Sequence, residues 1–241
     1  MWGRVPPDSP FFTIFYIYIY YMIKLKDLLL EISSPNLLIP RRVEGRPEKH
    51  VQSIIKQYIK DKNVGNFDIS ELGLTTLPAS LKQLKIGGDF LCNNNNLDSL
   101  VGAPVSVGGS FYCSFNKLTS LVGAPVSVGG YFLCDYNKLD SLVGAPTSVK
   151  NFYCNNNRLD SLVGAPVSVG GHFFCHRNKL TSLVGAPTSV GLDFYCNTNK
   201  LTSLVGAPTS VGGSFNCSNN VVKFTEEQVR AVCDVKGTIY V

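Results

Sequence analysis

The sequence is poor in the residue types that carry out chemistry. Of 241 residues only 16% are charged, and there are three histidines, two methionines and one tryptophan. His172 and His176 lie four residues apart, which in a strand places them about 13 Å from each other, too far to share a proton or a metal ion. No pair of cysteines or histidines has the spacing of a metal site on a helix. We therefore expect no enzyme, no metal, no cofactor and no small-molecule substrate.

The sequence also lacks a long apolar run. The longest one outside the repeats is residues 11–23, and a transmembrane helix needs about 20 residues. No small-residue cleavage site follows it, as a signal peptide would require. Its alternating Tyr and Ile is what a TA-rich dinucleotide repeat encodes, so we predict that residues 1–21 are an apolar leader outside the working protein, which begins at Met22. The alternative is a sticky strand or a membrane-surface anchor.

What the sequence has instead is a repeat. The phrase FxCxxN occurs seven times, and six copies continue into LxSLVGAPxSV. The copies are spaced 21 residues apart, with one step of 20, and are marked by Cys92, Cys113, Cys134, Cys154, Cys175, Cys196 and Cys217. A fixed period of 20 to 29 residues is typical of a solenoid, in which each copy forms one coil and buries its apolar positions against the neighbouring coils.

Alternation within the repeat predicts which side chains face inward. Residues two apart in a strand share a face, so the Phe and Cys of each copy point into the coil. Three residues after each cysteine stands an asparagine: Asn95, Asn116, Asn137, Asn157, Asn178, Asn199 and Asn220. A buried asparagine without partners costs about 1–3 kcal/mol, so we expect backbone groups to bond each of these side chains.

The short copy fits a known repeat pattern. Val149, Phe152, Cys154, Asn157 and Leu159 match the line LxxLxLxxNxL, with Phe and Cys in two of the leucine positions. The chain resembles leucine-rich-repeat proteins over roughly residues 67–222. That resemblance implies a curved solenoid with a parallel β-sheet on its concave side, an asparagine ladder, and ligands on the concave face. The VGAP segments are too short for helices and contain proline, which predicts an extended, helix-free convex side.

Both ends are predicted to be caps. Residues 22–66 read as a helical N-terminal cap, and residues 223–241 as a C-terminal cap with a helix from Thr225 to Val235 and a closing strand. The runs IKLKDLLLEI and IPRRVEGRPEK are similar to leaders on leucine-rich-repeat proteins of tailed phages, especially marine ones. This resemblance implies a viral gene product acting in an infected bacterium. One inward cysteine per coil predicts buried, reduced thiols and hence a reducing, cytoplasmic location.

Most copies carry one residue more than the short copy, at a pair of glycines such as Gly129-Gly130. An extra residue entering a strand forms a bulge, and bulges favour glycine because it reaches positive φ. Both glycines are replaced where the sequence has Lys150-Asn151, and only the first is kept at Gly191. We therefore predict a bulge in which the first glycine has the positive φ.

The outward residue between Phe and Cys is apolar or aromatic in six copies: Leu91, Tyr112, Leu133, Tyr153, Phe174 and Tyr195. At the strand separation these residues form a stripe about 25 Å long. Flanking outward positions add Phe115, Tyr136, His176 and Arg177. An apolar surface of this size predicts a partner-binding groove, in which tyrosines are favoured hot spots. The alternative is that these side chains only raise strand propensity and stack on one another across coils.

A row of cations follows the ladder asparagines: Lys117, Lys138, Arg158, Lys179 and Lys200. One interpretation is a solvated edge that Asp98, Asp140 and Asp160 partly neutralise. The other is a binding site for an acidic partner, although the net charge of +5 is mild.

The sequence favours a non-enzymatic binding module that presents an aromatic concave groove to a protein partner. Two alternatives belong to other classes. One is a structural or assembly protein, for example a viral particle component, that associates through its termini. The other is polyanion binding along the cation row, which would weaken steeply with salt.

Overall fold

Each copy of the repeat forms one coil of a solenoid in the computed structural model, which describes residues 47–61 and 65–241. The predictions for residues 1–21, and for the part of the N-terminal cap before residue 47, lie outside the described residues.

One strand from each coil joins a nine-stranded parallel sheet, which we call the main sheet. Phe132 pairs with Phe111 on one side and with Phe152 on the other, so identical repeat positions lie side by side. In spatial order the strands are β1 (Phe67–Asp68), β3 (Phe90–Leu91), β5 (Phe111–Tyr112), β7 (Tyr131–Leu133), β9 (Asn151–Tyr153), β11 (Phe173–Phe174), β13 (Phe194–Tyr195), β15 (Phe215–Asn216) and β17 (Ile239–Tyr240). The parallel-strand solenoid confirms the predicted architecture.

The core is a set of stacked columns, because every coil contributes the same side chains. The inward phenylalanines from Phe67 to Phe215 are no more than 1% exposed, and neighbouring ring centroids lie 5.1–5.6 Å apart. Each fully buried aromatic ring contributes roughly 1.5–3 kcal/mol through the apolar area it removes from water. All eight cysteines are free and buried, and burial raises the pKa of their thiols, so they act as small apolar residues.

The asparagine ladder bonds the backbone as predicted. The Asn116 side chain donates to the carbonyl oxygens of Cys92 (3.0 Å) and Cys113 (3.1 Å), and its Oδ1 accepts from the Leu97 amide (3.0 Å). Each ladder asparagine therefore forms hydrogen bonds to its own coil and to the preceding one. These bonds satisfy the polar atoms of an asparagine side chain that lies inside the solenoid.

Two smaller parallel sheets run beside the main sheet. One consists of β2 (Lys85–Ile86), β4 (Ser106–Val107) and β6 (Ser127–Val128), and the other of β8 (Ser148–Val149), β10 (Ser168–Val169), β12 (Ser189–Val190), β14 (Ser210–Val211) and β16 (Asp234–Val235). They are separate because the short copy lacks one residue. The amide of Gly129, the residue after the repeat valine, donates to the carbonyl of Val107, the valine of the preceding copy. The amide at the equivalent position in the short copy, Lys150, donates instead to the carbonyl of Gly130. This shift in register interrupts the ladder between β6 and β8.

The glycine pairs form corners, and the predicted bulge with a positive φ at the first glycine is wrong. Gly129-Gly130 separates β6 from β7, which belong to different sheets, and neither glycine has a positive φ. Glycine is needed there because coils stack closely: a Cβ on Gly129 would lie 2.1 Å from the carbonyl oxygen of Gly108. The glycine with a positive φ is the one in VGAP, for example Gly123 at 93°.

Positive φ also recurs at a position that is not glycine. The residue before each ladder asparagine has φ between 51° and 55°: Asn94, Phe115, Tyr136, Asn156, Arg177, Thr198 and Asn219. This left-handed residue turns the chain out of the main sheet so that the asparagine can point inward. Three of the seven are asparagine, the residue that tolerates this conformation best after glycine.

A helix precedes the first coil. Helix α1 (Pro47–Lys60) buries Val51, Ile55 and Tyr58, and the Tyr58 ring packs edge-on against Phe67 at 5.2 Å between centroids. The first coil contains a 3-10 helix (Ala79–Gln83). From residue 97 to residue 222, all of them described, the segments that return between main-sheet strands contain turns and short strands but no helix.

The last coil is followed by helix α2 (Glu226–Arg230), which is shorter than the predicted helix from Thr225 to Val235. The helix begins with a capping box, in which the side chains of Thr225 and Gln228 accept hydrogen bonds from each other's backbone amides. The helix ends early because β16 then pairs with β14, and β17 pairs with β15 of the main sheet.

Candidate functional site

The outer face of the main sheet carries three columns of side chains, because outward residues alternate along each strand. We name them by their order along the chain. The corner column is Asp89, Ser110, Tyr131, Asn151, His172, Asp193 and Ser214. The stripe is Leu91, Tyr112, Leu133, Tyr153, Phe174, Tyr195 and Asn216. The polar column is Asn93, Ser114, Asp135, Asn155, His176, Asn197 and Ser218.

The corner column is engaged in holding the coils together. Asp89 Oδ1 accepts from the Ser110 amide (2.7 Å), and Asn151 Oδ1 accepts from the His172 amide (3.0 Å). Asp193 accepts from the Ser214 amide (2.7 Å) and pairs with His172 Nδ1 (3.2 Å). These side chains bond the backbone of the next coil beside the glycine corner, so their role is structural.

The stripe is half-buried rather than open. Its side chains pack on one another: Phe174 stacks on Tyr195 at 4.6 Å with a 10° angle between the rings, and lies 5.0 Å from Tyr153. Phe174 is only 7% exposed as a result. Strands about 4.8 Å apart bring equivalent rings to stacking distance, which is the physical reason for this packing. The middle coils therefore present one continuous aromatic surface made of Tyr153, Phe174 and Tyr195.

The polar column is the least satisfied of the three. Asp135 is 2% exposed and accepts from the Ser114 hydroxyl in the preceding coil. Burial raises the pKa of Asp135 from 3.8 to about 6, and the hydrogen bonds from Ser114 and from a backbone amide offset only part of this effect. Asn155, in the next coil, is 3% exposed, and its Oδ1 has no hydrogen-bond donor.

His176 follows Asn155 in the polar column. Its Nδ1 is buried without a hydrogen-bond partner, and its ring lies 6.0 Å from Phe174. Burial, and after it the charge of Arg177, lowers the His176 pKa to about 4. The imidazole is therefore neutral at pH 7 and adds no positive charge to the column.

The left-handed residues form the rim beyond the polar column. Phe115 and Tyr136 stack at 4.4 Å with a 7° angle between the rings, and Phe115 is 45% exposed. Burial, and after it the charge of Asp135, raises the Tyr136 pKa. Arg177 is exposed at the same repeat position two coils further on.

The predicted site residues thus fall into two groups. Leu91, Tyr112 and Leu133 lie in the first half of the stripe and are half-buried. Phe115 and Tyr136 lie on the rim of the coils that contain Tyr112 and Leu133. The three coils that follow carry the remaining residues on the same face: Tyr153, Phe174, Tyr195, His176 and Arg177.

The cation row is exposed along its whole length, at Lys117, Lys138, Arg158, Lys179 and Lys200. None of these five residues forms an ion pair with any residue that the structure describes. Within residues 47–61 and 65–241 there is also no group of three histidine, cysteine or carboxylate side chains placed to hold a metal ion, and no helix long and apolar enough to cross a membrane.

Comparison with known proteins points to one architecture. No protein-family model matches the chain, and no curated protein sequence matches it. Among solved structures it is similar to a leucine-rich-repeat domain of a Shigella effector, with a TM-score of 0.60 and 19% identity over 81% of this chain and 91% of that chain. The fold is that of a leucine-rich-repeat domain. At this identity the likeness concerns the fold alone.

Within this leucine-rich-repeat fold, the sequence analysis missed Ser114, Asp135 and Asn155. The period-2 alternation that identified the stripe also turns the residue after each cysteine outward, but it does not indicate whether that residue is buried. Burial between two rows of large side chains makes the position special.

Proposed function

We propose that the chain is a non-enzymatic binding module and that the outer face of its main sheet receives a protein partner. The observation that carries this proposal is the continuous aromatic surface of Tyr153, Phe174 and Tyr195 on a rigid sheet. Tyrosine and phenylalanine supply large contact areas, and a preorganised sheet loses little entropy when a partner docks. The eight free, buried thiols support a reducing compartment, such as the cytoplasm of a bacterium.

The test is a triple replacement of Tyr112, Tyr153 and Tyr195 by serine. We expect the variant to lose the partner that the unaltered protein retains from lysate of its source cell, because three hot-spot rings are removed. Partner identity and recovery are measured by affinity capture and mass spectrometry. Loss of the Phe174–Tyr195 stacking should lower stability by about 0.5–1.5 kcal/mol, so a thermal melt must show that the variant remains folded.

The same three coils offer a matched control, a valine ten residues after each tyrosine. Val122, Val163 and Val205 lie in the VGAP turns and are 51%, 57% and 64% exposed. Their triple replacement by serine removes exposed apolar surface away from the main sheet and should leave capture unchanged. If the tyrosine variant retained the partner and the valine variant lost it, the binding surface would be the turns.

A second candidate function is polyanion binding along the cation row, because five exposed cations repeat at the coil spacing without an ion pair among the described residues. Neutralising five phosphates predicts a slope of about −3.5 when the logarithm of the affinity for single-stranded oligo-dT is plotted against the logarithm of salt concentration. Replacing the five cations by glutamine should abolish this binding. A salt-independent affinity, or none at low salt, would rule the function out.

The assembly alternative, in which the protein associates through its termini, remains a prediction. Comparing the oligomeric state of chains that begin at Met1 and at Met22 by size-exclusion chromatography separates it from the binding module.

A further inference from the structure

The polar column contains a buried carboxylate that no residue in the described part of the chain neutralises. Among the described residues no lysine, arginine or histidine nitrogen lies within 4.0 Å of the Asp135 carboxylate. The corner column shows the contrast, because its Asp193 is paired with His172 at 3.2 Å. A buried carboxylate is usually paired or coordinates a cation, because an unpaired one is costly.

The groups beside Asp135 do not supply the missing charge. His176, two coils further along the column, is neutral at pH 7 because burial lowers its pKa to about 4. Tyr136 follows Asp135 in the turn after β7, and the Tyr153 hydroxyl accepts a hydrogen bond from Asn151 Nδ2 (3.0 Å) in the corner column. Burial is the largest cause that raises the pKa of both phenols, and the Asp135 charge raises it further, so neither ring supplies a positive charge.

Asn155 adds a second unmet acceptor at the same place. Backbone pairing of Leu133 with Tyr153 puts Asp135 and Asn155 opposite each other on adjacent strands, about 4.8 Å apart. The Asn155 Oδ1 is buried and accepts no hydrogen bond. Buried polar groups nearly always have partners, so two neighbouring acceptors without enough donors indicate a ligand that brings donors.

The chemistry of these groups selects the ligand. A carboxylate and an amide oxygen both attract a cation that donates hydrogen bonds, and they repel an anion. An ammonium group has three donors, which suits this small set of acceptors. A guanidinium has five donors in a wide planar fork, and some of them would be left unpaired.

We propose that Asp135 and Asn155 receive the ammonium group of a lysine side chain of the protein partner. This inference rests on the proposed function, since it names the anchor that the partner inserts into the outer face of the main sheet. The stripe then supplies apolar contact to the lysine methylene groups and to the residues around them.

The probe is Nα-acetyl-lysine-methylamide, added to the whole isotope-labelled chain at pH 7.5 and followed by the backbone amide signals in NMR. We expect saturable shifts at Asp135, Asn155 and Tyr153. The Nε-acetylated form of the probe, which is neutral, should bind at least tenfold more weakly. Alanine-methylamide, which carries only an α-ammonium group, tests whether an amino terminus could take the place of the lysine.

Three variants complete the experiment. Asp135→Asn should lower the affinity for the lysine probe at least tenfold. Asp193→Asn should leave this affinity unchanged, because the Asp193 carboxylate is already paired with His172. Asn155→Ser, which removes the second acceptor, should lower this affinity severalfold. Equal binding of the charged and acetylated probes, full affinity in Asp135→Asn, or absence of saturable shifts would each overturn the lysine assignment. Stronger binding of alanine-methylamide would replace the lysine by an amino terminus.

The two proposals can fail separately. If the probe does not bind but the triple tyrosine variant still loses the partner, the binding surface stands and the lysine anchor is wrong. If the probe binds but the tyrosine variant keeps the partner, the ammonium site exists and is not part of the partner interface.

Discussion

Replacing Asp135 by asparagine is expected to raise the free energy of unfolding at pH 7.5 by about 2–3 kcal/mol. Burial raises the pKa of this carboxyl from 3.8 to about 6, so its ionised form is held in the folded protein at a cost of about 1.4 kcal/mol per pKa unit. Asparagine removes the charge and can still accept from the Ser114 hydroxyl. It also fits the position, because Asn93 and Asn155 already occupy the polar column in other coils.

The pH dependence has a definite sign. The folded pKa lies above the unfolded one, so the protonated Asp135 contributes stability that is fully present below pH 3.8 and is lost as the pH rises through about 6. The free energy of unfolding of Asp135→Asn should therefore exceed that of the unaltered protein only slightly at pH 4. The difference should reach its full value by pH 7.

Chemical denaturation of both proteins at pH 4 and pH 7.5 measures this difference. Asp193→Asn is the matched control and should destabilise, because it removes the pair with His172 and weakens the bond to the Ser214 amide. An Asp135→Asn variant that is less stable than the unaltered protein at pH 7.5 would mean that the carboxylate is well solvated or paired. If Asp135→Asn loses affinity for the lysine probe and is also more stable than the unaltered protein, Asp135 is a binding residue that is retained at the expense of stability.

Replacing Gly129 by alanine is expected to lower the free energy of unfolding by about 2–3 kcal/mol. The added Cβ would lie 2.1 Å from the carbonyl oxygen of Gly108 and 3.1 Å from the carbonyl carbon of Gly108. Both are backbone atoms of the preceding coil. A flexible side chain could move aside, but a backbone fixed by ladder hydrogen bonds on both sides cannot. Two coils must therefore separate locally, and overpacking of this kind typically costs about 1–3 kcal/mol.

The short copy provides the control at the same repeat position. Gly170 follows the coil in which lysine and asparagine replace the glycine pair, and a Cβ there would have only the Lys150 carbonyl oxygen near it, at 4.0 Å. Its φ is not positive, so alanine is compatible with the backbone. We expect Gly170→Ala to be neutral or to stabilise by about 0.4–1 kcal/mol. Equal costs for the two variants, measured by denaturation, would show that these glycines are selected for their backbone angles and not for close stacking.

The sequence was sufficient for the features that depend on a single coil. Phe132 and Cys134 could be placed inward from local alternation alone, and Asn137 from the leucine-rich-repeat pattern that the repeat resembles. Repetition of the same residues in every copy makes stacking of like on like the natural arrangement. The parallel sheet, the buried thiols and the asparagine ladder follow from these positions.

The features that sequence reasoning missed depend on the neighbouring coil. Gly129 was interpreted from the angles that glycine allows, whereas its actual constraint is the carbonyl of Gly108 in the adjacent coil. Asp135 has the composition of a solvated surface residue, and its burial arises from rings on its own and adjacent coils. The stacking that the sequence offered as the alternative for the stripe is present between Phe174 and Tyr195, but how far it covers the rings could not be predicted. Contacts with a neighbouring coil cannot be predicted from the repeat period, which determines the direction of a side chain but not how exposed it is.

The central claim is that the outer face of the main sheet is the surface that meets the partner. Site-specific photo-crosslinking in the source cell tests it directly, with a benzophenone side chain placed at Tyr195 in the stripe or at Val184, which lies in a VGAP turn and is 46% exposed. We predict that position 195 yields one discrete crosslinked protein, with the attachment mapped beside a lysine, and that position 184 does not. The same protein crosslinked from position 184 and not from position 195 would contradict the claim.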